Sequence, residues 1–350
     1  MKEGATAIFR LFRIELRKVF KGKTVYAIAL VLIFLTAVGM QGLTSGYSRQ
    51  VSNLEDQHSE IISRIESGIW DIYGVALPED FNFLDHPIID DNGQIIQENV
   101  ELYKSFYREY FQGEIDALTA EGGYYSFSQI AASGARQMAS LIPILAVIMS
   151  VSLFASEFRG GLYRIIISRG VRRSDLISAK MLTSTTLALL FATILTVALL
   201  LGALAAYSSL GLDTPPDVST AAFSGILGLA LLMFFAYMML GGAVGTLLAS
   251  SSSAMAIGLV LAFLAGTLFF NATPCMEGFF GTISPVTLGY NFSSLMHHLW
   301  QPIGGIEGMV SPGQRDCYRD VGIALTLALT YTAAFTGFIY SVFMNKDLKG

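Results

Sequence analysis

Along the chain, long runs without a single charged residue alternate with short, densely charged ones. The charge-free runs are Thr24–Ser48, Gln137–Ser156, Met181–Leu212, Val218–Met276 and Val321–Asn345. About 20 predominantly apolar residues let a helix cross a hydrocarbon core of ~30 Å, so each run predicts a membrane span. The fourth is too long for one crossing. It breaks at "ASSSSAM" (Ala249–Met255), a small polar turn that splits it into Ala221–Leu248 and Ala254–Phe270. The predicted fold class is an α-helical polytopic membrane protein with six transmembrane helices, at residues 24–44, 137–156, 181–207, 221–248, 254–270 and 321–343.

The intervals between the spans have patterns of their own. Residues 1–23 predict an amphipathic helix lying in the membrane interface. Phe9, Phe12, Leu16, Val19 and Phe20 mark its apolar side; Arg10, Arg13, Arg17 and Lys21 mark its polar side. The first span follows this basic lead without a small-residue cleavage site and reads as an uncleaved anchor. Residues 45–136 predict a mainly helical domain. Val51, Leu54, His58, Ile61, Ile65 and Ile72 recur at helical spacing, as do Ile96, Val100, Tyr103, Tyr107, Tyr110 and Glu114, so two helices would pack these stripes together. Between them "HPIIDDNGQII" predicts a small hairpin turning at Asn92-Gly93. Residues 271–320 predict broken or re-entrant helices, with "SPVTLGYNFSSLMHHLW" apolar enough to dip into the outer leaflet.

Charge gives the orientation. Asp, Glu, Lys and Arg make up 14% of the 350 residues and hydrophobic ones 53%, too little charge to cover a water-facing globule of this size. With the N-terminus inside, the cytoplasmic parts carry 15 Lys/Arg and 5 acids, and the exterior parts 7 and 22. The positive-inside bias therefore predicts that both termini and residues 157–180 are cytoplasmic, and that 45–136 and 271–320 are extracellular. Cys275 and Cys317 share an exterior segment, where a disulfide between them is expected. The sequons at Asn271 and Asn291 fall on the same side.

Candidate chemistry is sparse. "GKT" at Gly22–Thr24 lacks the phosphate-loop glycine, since Arg17 stands in its place. Aligned to a calcium loop, Gly93 puts Ile88 and Asn99 at the first and last ligand positions, which disfavours calcium. His297 and His298 are adjacent and diverge by ~100° on a helix, a poor metal pair. No catalytic, cofactor-binding or metal-binding residues are assigned. The six predicted spans contain no titratable side chain of the kind that ion- or proton-coupled carriers need, so a pump built from them would draw its free energy from elsewhere.

The basic segment "EFRGGLYRIIISRGVRRSDLISAKML" concentrates Arg159, Arg164, Arg169, Arg172, Arg173 and Lys180 between two apolar runs, with Ser174 and Asp175 placed to cap the helix that follows. It resembles the matching segment in the membrane subunit of bacterial type-2 ATP-binding-cassette exporters (the ABC-2 permease class). The likeness extends to the amphipathic first helix, the six spans and the broken helices before the last one. The domain at Gly46–Arg136 departs from the short loop of many members. The resemblance implies a permease that forms a translocation path in the bacterial plasma membrane. Its residues Glu157, Gly161, Arg164, Arg169, Arg173 and Lys180 would couple it to a separate nucleotide-binding ATPase subunit. It also implies a second permease chain, either identical or a similar paralogue, surrounding membrane lipid and no nucleic acid. ATP and magnesium would be bound by the ATPase, leaving this chain without cofactor or enzymatic activity. An apolar, uncharged bundle suits hydrophobic or antimicrobial peptides or lipid-like molecules as substrates. The alternative reading is a receptor or immunity protein that binds a ligand through its acidic extracellular domain without transport; a channel or membrane enzyme is a third.

Overall fold

The computed structural model describes residues 2–67, 88–90, 94–119, 127–159, 166–168, 170–210, 220–248, 250–271, 282–300 and 318–345. Among the described residues the regular structure is helical apart from one isolated antiparallel bridge, Ile89 to Ile95. The helices are α1 (Lys2–Lys21), α2 (Lys23–Glu66), α3 (Gln97–Thr119), α4 (Phe127–Ala139), α5 (Ile142–Arg159), α6 (Arg173–Ser209), α7 (Thr220–Leu247), α8 (Ser251–Ala262), α9 (Leu288–Trp300) and α10 (Val321–Asn345). Five segments are long and apolar enough to cross a membrane: Lys23–Glu66, Arg173–Ser209, Phe223–Leu247, Ser251–Leu268 and Val321–Asn345. A sixth crossing is available if Ile130–Ala139 and Ile142–Ala155, which meet at a 42° bend, count as one. The expected span at 137–156 takes in the end of α4, this bend and most of α5. The chain is a multi-pass α-helical membrane protein.

The contacts divide the chain into two compact units, Met1–Met40 with Phe127–Gly350, and Gln41–Ser126. In the first, α5 and α7 lie in intimate contact. A Cβ on Gly241 would fall 3.0 Å from the Val147 backbone and collide with the Ser150 hydroxyl; small side chains let helices close up where lipid gives no hydrophobic drive between them. The serine turn forms as expected, with Ser250 capping α8 by accepting a hydrogen bond from the Ser253 amide at 3.4 Å. Beyond Ala262 the helix widens into a π turn, Phe263–Leu268, before a last α-turn, Phe269–Asn271. Nothing in the apolar pattern announces that wide turn. The Thr267 hydroxyl donates to the Ser140 carbonyl at 2.7 Å, tying the π turn to the bend between α4 and α5.

The segment expected to dip into the outer leaflet as a short, broken helix packs within the bundle. After a 3-10 turn at Ser284–Val286, α9 buries Phe292, Ser294, Leu295 and Met296 and packs against α7 and α10. His297 is buried and stacks on Tyr318 with ring centres 4.0 Å apart, while the His298 ring bonds the Arg319 carbonyl at 2.9 Å. Asn291 is fully buried, and its amide donates to the Pro285 and Thr287 carbonyls. Its sequon is thus closed to a glycosyltransferase acting on the folded chain.

In the second unit the two stripes read from sequence do meet. Ile65 of α2 packs with Val100, Tyr103, Tyr107 and Phe111 of α3 and with Ile88, flanked by Leu54 and Ile61. Phe111 occupies the core while Glu114 is exposed, because the stripe drifts round the helix by one position. Asp90 and Gln94 bond across the base of the hairpin; its tip, Asn92-Gly93, lies outside the described residues, as does Ile72. Lys104 joins the helices through Glu66 at 2.7 Å and also reaches Glu101 at 3.1 Å; these hydrogen bonds raise its pKa. Burial, with a smaller contribution from Tyr107, pushes the Tyr103 hydroxyl up to about 12. Both shifts favour the protonated group in the folded state. Their contribution is whole below the unfolded values of ~10 to 10.5 and is lost as pH rises through the folded ones. The contribution of Tyr103 to this helix pair should therefore be lost between about pH 10 and 12. Tyr103→Phe, which has no proton to lose, should hold its circular dichroism to higher pH than wild type.

Candidate functional site

The basic segment leads into the bundle at the start of α6. Gly170 takes φ +86°, the left-handed region open to glycine, and its amide bonds the Ile167 carbonyl at 3.0 Å. Helix α6 then begins earlier than its sequence suggests. Arg172 is the N-cap residue and makes no side-chain cap. Ser174 and Asp175, expected as caps, already lie in the first turn, where the Asp175 charge complements the amide end of the helix. The Arg173 guanidinium donates to the Met344 carbonyl at 3.0 Å, joining the start of α6 to the end of α10.

Two turns into α6, Lys180 is 0% exposed. It directly precedes the expected span at 181–207 and belongs to the same continuous helix, Arg173–Ser209. Its ammonium donates to the Leu153 carbonyl of α5 at 2.8 Å and lies 3.4 Å from the Glu15 carboxylate of α1. Glu15 is 3% exposed, and its other oxygen pairs with Lys18 at 3.3 Å. One buried carboxylate thus faces two ammonium groups, and one ammonium joins three helices. Beside it, a pocket of about 190 Å³ opens at the elbow between α1 and α2, walled by Glu15, Lys18 and Thr24 and by Met149, Ser152 and Leu153.

Helix α1 is amphipathic, but its faces are set differently from the reading above. Ile8, Leu11, Phe12, Leu16 and Val19 lie on the sheltered side with Glu15, and α1 packs on α6. Phe9 is 63% exposed, and Ile14 is exposed as well, so these two flank the arginine stripe. The packed side of α1 is taken by protein, and Phe9 is left outside it.

Of the six residues assigned to ATPase coupling, the structure describes the surroundings of two, Arg173 and Lys180, and places both in bonds within the chain. Glu157 lies in the last turn of α5. Gly161, Arg164 and Arg169 lie outside the described residues, as do Cys275 and Cys317. Sequence reasoning missed Glu15. The available signal was its position: an acid on a basic helix, three residues after Phe12 and four before Val19 and therefore on their side.

The sequence pattern of the ABC-2 family transporter proteins matches residues 9–348, nearly the whole chain. No curated protein matches it. With its amphipathic first helix, polytopic apolar bundle and basic approach to α6, the chain belongs to the ABC-2 transporter family and is a transport permease.

Proposed function

We propose that this chain is the permease subunit of an ATP-binding-cassette exporter, driven by a separate nucleotide-binding subunit that docks on residues 157–172. ATP and magnesium belong to that partner. Two permease chains, identical or paralogous, flank one translocation path in the bacterial plasma membrane, with both termini cytoplasmic and Gln41–Ser126 outside. Cys275 and Cys317 are joined on the outer side. The substrate is a hydrophobic or antimicrobial peptide or a lipid-like molecule, in keeping with an apolar bundle.

The observation that carries this reading is the basic segment opening directly into the packed interior of a family permease, through Arg173 and Lys180. Because Arg173 is bonded to Met344, Arg169 is the better docking probe. Arg169→Glu is expected to lower co-purification of the ATPase at least about tenfold, consistent with the repulsion and lost pairing of a reversed interface charge. Undiminished co-purification would refute docking through this segment. For the substrate, deletion should sensitise cells to amphipathic peptides within a panel that also holds detergents and ions; sensitivity to ions alone would reject the peptide assignment.

A further inference from the structure

A buried ion pair is a costly way to hold helices together. Removing two charges from water costs several kcal/mol per ion, and a well-packed apolar pair of equal volume often serves stability as well or better. What the ionic arrangement adds is register, because only one turn of each helix presents a matching charge. Here the matching turns belong to three elements: Glu15 of α1, Leu153 of α5 and Lys180 of α6. Lys180 lies seven residues beyond the start of α6 at Arg173, about 10 Å along a rigid helix. Burial keeps it from touching any partner subunit, so its effect must pass through the groups it bonds.

We infer that Glu15 and Lys180 are a positioning pair: they transmit displacement of the basic segment before α6 to α1 and α5, and do not themselves dock the ATPase. This rests on the coupling role proposed above. The pair has the geometry for it. A push on residues 157–172 reaches α6 at its first turn; Lys180 then carries that movement sideways into α5, whose N-terminal end meets the bend at Ser140 and the π turn through Thr267. The elbow pocket beside Glu15 leaves space on one side of the carboxylate for such a shift.

Two near-isosteric variants test it: Glu15→Gln, which leaves the buried Lys180 ammonium with the Leu153 carbonyl but without its carboxylate, and Glu15→Gln/Lys180→Met, which removes both charges together. In the first arm, hydrogen exchange is followed on the permease alone in nanodiscs. Amides of residues 8–19 are expected to exchange at least about fivefold faster in the double variant, reflecting the lost tie; equal rates would overturn the pair as a constraint on α1. In the second arm, the permease–ATPase complex is compared with and without ATP and vanadate. Wild type should show a nucleotide-dependent change in exchange at residues 130–147 and 263–271. Both variants should lose most of that change while the ATPase still co-purifies within twofold and hydrolyses ATP. A merely structural role would lower complex yield and hydrolysis together, and that result would overturn the inference, as would a full nucleotide response in the double variant. Failure of the wild-type chain to bind any ATPase would refute the proposed function instead, leaving the first arm to decide the pair.

Discussion

Lys180→Met alone should destabilise the chain by about 3–5 kcal/mol, the range expected when one partner of a buried ion pair is removed. The cause is the charge left behind. Glu15 would keep Lys18, which is 44% exposed in its side chain, but would lose the fully buried ammonium that compensates it from within the bundle. Adding Glu15→Gln should recover most of the loss, since a neutral pair of similar volume no longer carries a desolvation cost. Thermal unfolding in detergent, monitored by circular dichroism, measures both. A double variant no more stable than Lys180→Met would mean that the ammonium's bond to the Leu153 carbonyl, and not its pairing with Glu15, carries the stability.

The second large effect is expected at Gly289. A Cβ there would lie 2.8 Å from the Ala265 carbonyl oxygen and 3.0 Å from the Phe270 amide nitrogen, and nearer still to the Gly266 carbonyl oxygen. All three obstacles are backbone atoms of the π turn and its continuation, so no side chain can rotate out of the way. Gly289→Ala should therefore cost on the order of 3 kcal/mol, at the upper end for overpacking, and Gly289→Val more. The matched control is Gly228→Ala in α7, where a Cβ meets nothing within 4 Å. There the substitution should be neutral or stabilise by up to about 1 kcal/mol. Equal melting temperatures for the two alanine variants would show that α9 can slide away from the π turn.

What the sequence disclosed and what it withheld separate along a physical line. Charge-free runs long enough to span, the serine break before α8 and the paired stripes of α2 and α3 are local patterns, and each appears in the structure. The fate of "SPVTLGYNFSSLMHHLW" was not local. Hydropathy scores a residue facing lipid and one facing protein alike, so nothing in it showed that α9 would be buried beside α7 and α10. The same limit hid the centre of the candidate site. Lys180 reads as the last cation of a basic loop and Glu15 as an impurity in a basic helix. Their meeting spans 165 residues and depends on α1 packing against α6. The π turn was invisible for a further reason: its extra residue is apolar like its neighbours, so the pattern registers no insertion.

The boundary between the two compact units falls between Met40 and Gln41, in the middle of α2, which runs unbroken from Lys23 to Glu66. There is no seam at that crossing for a protease or a protein engineer to use. Severing the peptide there would strip about four amides on one side and four carbonyls on the other of their intrahelical partners, so Gln41–Ser126 cannot be lifted out as a ready-made module. Any graft or deletion of this domain has to bring its own helix ends, or leave the first span frayed.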